Sequence, residues 1–314
     1  MTADLPRARP DERSGRLSPG AELRGTAPAA RLGVALGGGG ARGLAHIGVL
    51  QVLREANVAI GAIAGASMGA IVGGLYAAEP DILDRPTDLT NLLSDAPENP
   101  WRPGPFRQRA ASLLKAAGYL EHDLFGLGRD TGAQLETHLD TLAAHRSIQD
   151  LATPFAATAT DVLTGELVVL RRGNLARALH ASAALPGVFT PVHWDSRWLI
   201  DGGVLSNLPV HVTRQLGAAT VLAVSVTSPL EPSMPRTGLG LLLRASTLTA
   251  NRLQTEELAR AEVRLVVPIP HEIGIFDFDQ LERLIAIGRS AALSILPRLE
   301  EVMERLEGHA ARPA

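Results

Sequence analysis

Gly65-Ala66-Ser67-Met68-Gly69 divides two segments of different periodicity. Residues 59–64 read as a short buried strand, and Ala70, Ile71, Val72, Leu75, Tyr76 and Ala77 suit a helix. A serine on a sharp strand-to-helix turn is held in strain with its hydroxyl exposed, and flanking glycines let neighbouring backbone pass close. The helix start adds unpaired N–H groups and the positive end of a dipole, which favour developing negative charge. That arrangement suits a nucleophile. Gly, Ala and Ser are abundant here, so the pentapeptide alone is a weak signal. Its weight comes from residues 37–43 and 201–203.

Working outward, residues 32–36 form an apolar run that reads as a strand, followed by four glycines and Ala41-Arg42-Gly43. Leu44, Ile47, Leu50 and Leu53 then fall at helical spacing, with Arg54 and Glu55 closing the helix. Residues 58–64 supply the next strand. Strand, helix, strand is the unit of a parallel sheet, and turns after the carboxyl ends of its strands share one edge.

Further along, the spacing predicts helices at 131–144, 174–181, 208–216 and 239–261, and strands at 155–160, 166–170, 198–200, 220–226 and 264–267. Residues 161–165 have hairpin character. The end of the chain, 281–306, reads as one or two helices interrupted near Pro297. The expected fold is α/β: a central, mostly parallel sheet flanked by helices, in a single domain. Its parts are a flexible tail at 1–31, a core at 32–214 and a C-terminal part at 215–307 on the same domain, with a tail at 308–314. Residues 79–131, broken by Pro80, Pro86, Pro97, Pro100, Pro103 and Pro105, read as a helical cap over the site or as a structural insertion.

Composition narrows the classes. In 314 residues, 46% hydrophobic and 20% charged, there is ample material for a buried core. A net charge of −3 leaves no electrostatic footprint for nucleic acid. The absence of cysteine excludes disulfides, thiolate metal sites and a cysteine nucleophile. Residues 1–30 lack the apolar core of a signal peptide. Residues 56–78 carry no charge, but glycines at 61, 65, 69, 73 and 74 favour a buried strand-turn-helix over a membrane span.

The glycine loop contains a G-x-G-x-x-G spacing at Gly38, Gly40 and Gly43. A dinucleotide site would need an acidic residue ending the next strand, and that strand instead runs into the serine. A phosphate loop would need Gly-Lys-Ser/Thr, and the one lysine is Lys115. An oxyanion hole needs only backbone N–H groups, here from Gly38, Gly39 and Gly40. Arg42 either orders the loop, binds a substrate head group, or is an ordinary surface arginine. Asp201-Gly202-Gly203 taken alone is a β-turn; beside an exposed serine and a donor loop, Asp201 becomes a candidate general base for attack by Ser67 on an acyl carbonyl. Ser182, Pro186 and Pro191 lie in a block that reads as structure. No histidine pair has metal-ligand spacing beside a carboxylate. His46 is expected to bond to nearby backbone.

Four ordered blocks together resemble the patatin-like phospholipase family. They are the glycine loop at 38–43, the elbow at 65–69, Ala181-Ser182-Ala183-Ala184-Leu185-Pro186-Gly187-Val188-Phe189-Thr190-Pro191, and Leu199-Ile200-Asp201-Gly202-Gly203-Val204-Leu205-Ser206-Asn207-Leu208-Pro209. The resemblance implies a three-layer fold and lipid acyl hydrolysis by a Ser67–Asp201 dyad, with no catalytic histidine, metal or cofactor. The expected partner is a lipid acyl ester, met by a cytoplasmic protein through transient contact with a membrane surface. Two alternatives remain at this point: a Ser-His-Asp hydrolase using His211 or His271, and a non-catalytic lipid- or nucleotide-binding module.

Overall fold

Leu32–Leu36 forms β1, whose alternate side chains serve two cores. Leu32, Val34 and Leu36 enter the larger core, while Ala35 faces a second one with Leu208, Val210, Val221 and Ala223. A strand buried on both faces needs helices on both sides, which accounts for its apolar run without polar alternation. The computed structural model describes residues 32–88, 132–230, 234–235 and 238–310. The expected tail at 1–31, cap residues 89–131 and residues 311–314 lie outside this described set.

After β1 come a 3-10 turn at Gly40–Leu44, helix α1 at Ala45–Glu55, strand β2 at Ile60–Ala66 and helix α2 at Met68–Ala78. Helix α3 spans Gly132–Leu142, and strands β3 (Phe155–Asp161) and β4 (Leu167–Leu170) form the expected hairpin. Helix α4 (Leu175–Ser182) is capped by Asn174, whose side chain accepts from the Arg177 N–H at 2.8 Å. Strands β5 (Val192–Trp194) and β6 (Arg197–Asp201) follow, then α5 (Val210–Gln215), β7 (Thr220–Ser225), α6 (Gly238–Ala259), β8 (Val263–Val266) and α7 (Leu281–Ala310). The sheet runs β5-β6-β3-β2-β1-β7-β8, with β4 also paired to β3. The pairs β3–β2, β2–β1, β1–β7 and β7–β8 are parallel, while β4 and β6 pair antiparallel with β3, and β5 with β6.

The register on β3 positions the site. Residues 157–160 of β3 pair with β4, so β2 and β6, whose pairings overlap that span, both lie along the opposite edge. They occupy it in succession. Ala66, the last residue of β2, is opposite Thr158, and Asp201, the last of β6, is opposite Ala159. The ends of two strands far apart in sequence are thereby brought to adjacent positions on one ruler.

Two expectations need correction. Strand β5 was not anticipated, because three residues are too few for a periodicity signal. Helix α7 is not interrupted at Pro297 but continues through it. Proline removes one helical hydrogen bond and crowds the preceding turn; burial of Leu284, Ala291, Ala292, Leu299 and Val302 on both sides keeps the helix in one piece. Residues 56–78 form strand, turn and helix, and among the described residues no helix is long and apolar enough to cross a membrane.

Helix α7 crosses α1 at backbone contact. A β-carbon on Gly48 would collide with the Ile285 carbonyl oxygen, and one on Gly288 with that of Ala45. Across the same pair of helices, Arg289 donates two hydrogen bonds to Glu55, each 2.8 Å. At an ordinary helix position Gly→Ala gains about 1 kcal/mol. Gly288→Ala is expected to reverse that sign, losing about 1–3 kcal/mol because backbone must move. A thermal midpoint equal to or above wild type would contradict this packing.

Candidate active site

Ser67 is the hinge between β2 and α2, with φ 52° and ψ −125°. A non-glycine residue in the left-handed region stores strain, and such outliers cluster at functional sites. Its surroundings hold it there. The Ser67 N–H donates to the Ser182 hydroxyl oxygen at 3.0 Å, and its carbonyl accepts from Ala70 and Ile71 at 2.9 and 3.1 Å. The flanking glycines are required by space: a β-carbon on Gly65 would lie 2.5 Å from the Ala70 nitrogen, and one on Gly69 would strike the Leu36 carbonyl. The turn brings α2 directly against the end of β1.

Asp201 is 4% exposed, and its carboxyl faces the serine. Burial pushes its pKa up to about 6, while the nearby Ser67 hydroxyl and the Gly203 N–H, which donates to it at 2.7 Å, favour the charged form. The Asp201 N–H donates to the Ala184 carbonyl at 2.9 Å. The block at 181–191 thus grips both members of the pair, Ser67 through Ser182 and Asp201 through Ala184. A structural role was expected for that block; its two specific contacts were not. Ser182 is a residue the sequence reading missed as part of the site, although its place in the block was the available signal.

The glycine loop lies beside the serine. A β-carbon on Gly38 would sit 3.1 Å from the Ser67 β-carbon. Gly37 and Gly38 donate their N–H groups to the carbonyls of Val224 and Asn207 at 3.0 and 2.9 Å, and Ala41 donates to Ile275 at 2.8 Å. The N–H groups of Gly39 and Gly40 make no hydrogen bond among the described residues. His46, fully buried and held neutral by a pKa lowered to about 4, bonds through Nε2 to the Gly37 carbonyl at 2.7 Å. Arg42 donates from Nε to the Ile273 carbonyl at 2.7 Å; burial lowers its pKa, with Asp277 pulling the other way. Of the three readings of Arg42, the contact fits ordering of the loop.

The histidines considered for a triad bond elsewhere. His211 donates its backbone N–H to Glu257 at 3.0 Å, and its Nδ1 lies 2.9 Å from the same carboxylate. His271 is exposed, with Nδ1 3.6 Å from Glu272. Among the described residues, no histidine is hydrogen-bonded to Ser67 or Asp201, and no group of three or more His, Asp or Glu is arranged to hold a metal ion.

A strained serine on a βα turn, a buried aspartate beside it and a glycine loop meet at one edge of an α/β sheet. Comparison with known proteins agrees in sequence: residues 34–214 match the model of the patatin-like phospholipases, and the chain belongs to that family. It is 36% identical over 208 residues to a patatin-like phospholipase domain-containing protein of Caenorhabditis elegans, covering 65% of this chain and 14% of that protein. It is 29% identical over 293 residues to an uncharacterized NTE family protein of Mycobacterium tuberculosis, covering 84% of this chain and 46% of the other. A lysophospholipase of Cryptococcus neoformans is 32% identical over 206 residues, 66% of this chain and 12% of that protein. The chain therefore spans less than half the length of each. Among solved structures, VipD from Legionella pneumophila overlays with a TM-score of 0.48 at 15% identity, covering 86% of this chain and 67% of that one.

The buried carboxylate has a consequence for stability. Raising a pKa from 3.8 to about 6 destabilises the charged folded form by about 3 kcal/mol relative to a solvated aspartate. Between those values the folded state binds more protons than the unfolded one, so stability falls as pH rises through that window. Asp201→Asn is expected to melt above wild type at about pH 8, with the gap shrinking as pH falls through 6. A gap of constant size, or of opposite sign, would contradict the burial argument.

Proposed function

We propose that the protein is a serine hydrolase of lipid acyl esters, of phospholipase A, lysophospholipase or esterase type. The observation that carries the reading is the placement of the two strand ends that bear Ser67 and Asp201 at consecutive positions of β3, Ala66 opposite Thr158 and Asp201 opposite Ala159, with the carboxyl buried. Family membership and the lysophospholipase relative support the substrate class.

In the proposed reaction Asp201 takes the proton of the Ser67 hydroxyl as its oxygen bonds to the acyl carbon. A carboxylate whose pKa is about 6 is ionised at neutral pH yet far more basic than an exposed aspartate, which suits a general base. The carbonyl oxygen gains negative charge and is held by the N–H groups of Gly39 and Gly40, which make no other hydrogen bond among the described residues; the Gly38 N–H, expected to join them, is instead donated to the Asn207 carbonyl. Collapse breaks the bond to the alcohol, which leaves with the proton from Asp201. Water then attacks the acyl-serine, gives its proton to Asp201 and releases the fatty acid as the serine recovers its own. The residues named need no metal or cofactor for this cycle. Val204, Leu205 and Ile275, apolar and exposed next to the Asp201 turn and the glycine loop, are proposed to meet the acyl phase during transient contact with a bilayer.

A p-nitrophenyl ester series from short to long acyl chains tests this. Ser67→Ala and Asp201→Asn should each lose at least about 10³-fold in kcat, with circular dichroism unchanged. His211→Ala and His271→Ala should hydrolyse as wild type does. Activity that survives in folded Asp201→Asn and falls in a histidine variant would replace the dyad with a triad.

A further inference from the structure

Asn207, half-buried, and Gln254, buried, form a polar link between the glycine loop and helix α6. Gln254 is 4% exposed in the middle of the helix, and its side chain points into the protein beside the end of β7. Its amide nitrogen donates to the hydroxyls of Ser225 and, at 3.3 Å, Thr227, which are themselves 2.9 Å apart. Its amide oxygen accepts from Asn207 Nδ2 at 2.6 Å. Asn207 reaches the glycine loop through its backbone, the carbonyl accepting the Gly38 N–H at 2.9 Å, while Nδ2 lies 3.5 Å from the Gly38 carbonyl.

The Asn207 side chain also acts as a wedge. Its Oδ1 occupies space that a β-carbon on Gly38 would collide with, and it would be 2.8 Å from a β-carbon on Gly203. One amide thus fills the gap between the loop beside the serine and the turn that carries the aspartate. The 2.6 Å hydrogen bond to Gln254 is the shorter of the two contacts that hold the Asn207 amide in this gap, the other being the 3.5 Å one to the Gly38 carbonyl. Gln254 in turn is fixed by two hydroxyls at the carboxyl end of β7, the strand next to β1 in the sheet. The family match ends at residue 214, so this anchor comes from chain beyond it.

We propose that Gln254 is a positioning residue for the reaction: through Asn207 it fixes the orientation of the Gly38–Gly40 amides relative to Ser67. Its effect on turnover rests on the proposed oxyanion role of the Gly39 and Gly40 amides, next to the Gly38 N–H that Asn207 holds; its effect on the loop rests on the hydrogen-bond geometry alone. Preorganised donors act on charge that develops only in the transition state. A misaligned loop therefore lowers kcat and leaves substrate binding nearly intact.

Gln254→Met keeps the volume and removes both kinds of hydrogen bond. It is expected to lower kcat on a p-nitrophenyl ester by about tenfold or more with KM within about twofold. Asn207→Ala should act in the same direction, and the double variant should be no worse than the more severe single one, because the two residues act as one chain. Amide hydrogen exchange of the peptide spanning residues 37–43, read by mass spectrometry, should quicken in Gln254→Met relative to wild type. Should that variant not fold, Ser225→Ala with Thr227→Val frees Gln254 from its anchors and should give the same two signatures. Faster exchange of the loop in a protein that hydrolyses no ester would uphold the link while overturning the proposed function. Unchanged exchange, or faster exchange with kcat unchanged, would overturn the positioning role.

Discussion

The edge of β3 shared by β2 and β6 is the constraint on which the rest depends. A strand has two hydrogen-bonding edges, and β4 fills one of them along residues 157–160. What remains is one edge, on which β2 must stop for β6 to begin. Ser67 follows the last residue of one strand and Asp201 is the last of the other, so their separation is set by backbone pairing and not by flexible loops. Sites carried on the ends of regular elements hold geometry more tightly than sites carried on loops alone. The antiparallel part of the sheet exists to supply the second strand end.

Holding a carboxylate in this position is costly, and among the described residues the contacts that meet the cost come from the backbone and not from a cation. Asp201 receives the Gly203 N–H, while its own N–H is tied to the Ala184 carbonyl. An arginine or lysine partner would stabilise the charge but would also drive the pKa down and weaken the base. The strained backbone at Ser67 follows the same logic, with the Ser182 hydroxyl accepting the Ser67 N–H. Local destabilisation at the site is offset by the cores on both faces of the sheet.

Much of this was legible in the sequence because it depends on local rules. The glycines at 65 and 69 mark close backbone approach, and the apolar runs at 32–36 and 220–226 mark strands buried on both faces. The same holds for the pairing of a glycine loop with a serine turn at one sheet edge. What could not be read depends on contacts between distant segments. The roles of Ser182, Asn207 and Gln254 exist only when three pieces of chain meet, and a lone glutamine within a helix carries no signal of its own. Strand β5 is too short to show a period. The persistence of α7 through Pro297 reflects tertiary packing against α1, which outweighs the local preference of proline. For Arg42 the sequence left loop ordering, head-group binding and a plain surface role open, and the Ile273 carbonyl that its Nε meets lies in a distant segment.

The central claim is that Asp201, through its burial, sets the reactivity of Ser67. Covalent labelling by a fluorophosphonate probe, followed from about pH 4.5 to about pH 8 with the adduct located by mass spectrometry, tests it directly. The account predicts a single adduct on Ser67 whose rate of formation rises through pH 6 to a plateau. In Asp201→Asn the same adduct should form slowly and with no dependence on pH across that range. An adduct on another residue, or an unchanged pH profile in Asp201→Asn, would contradict it.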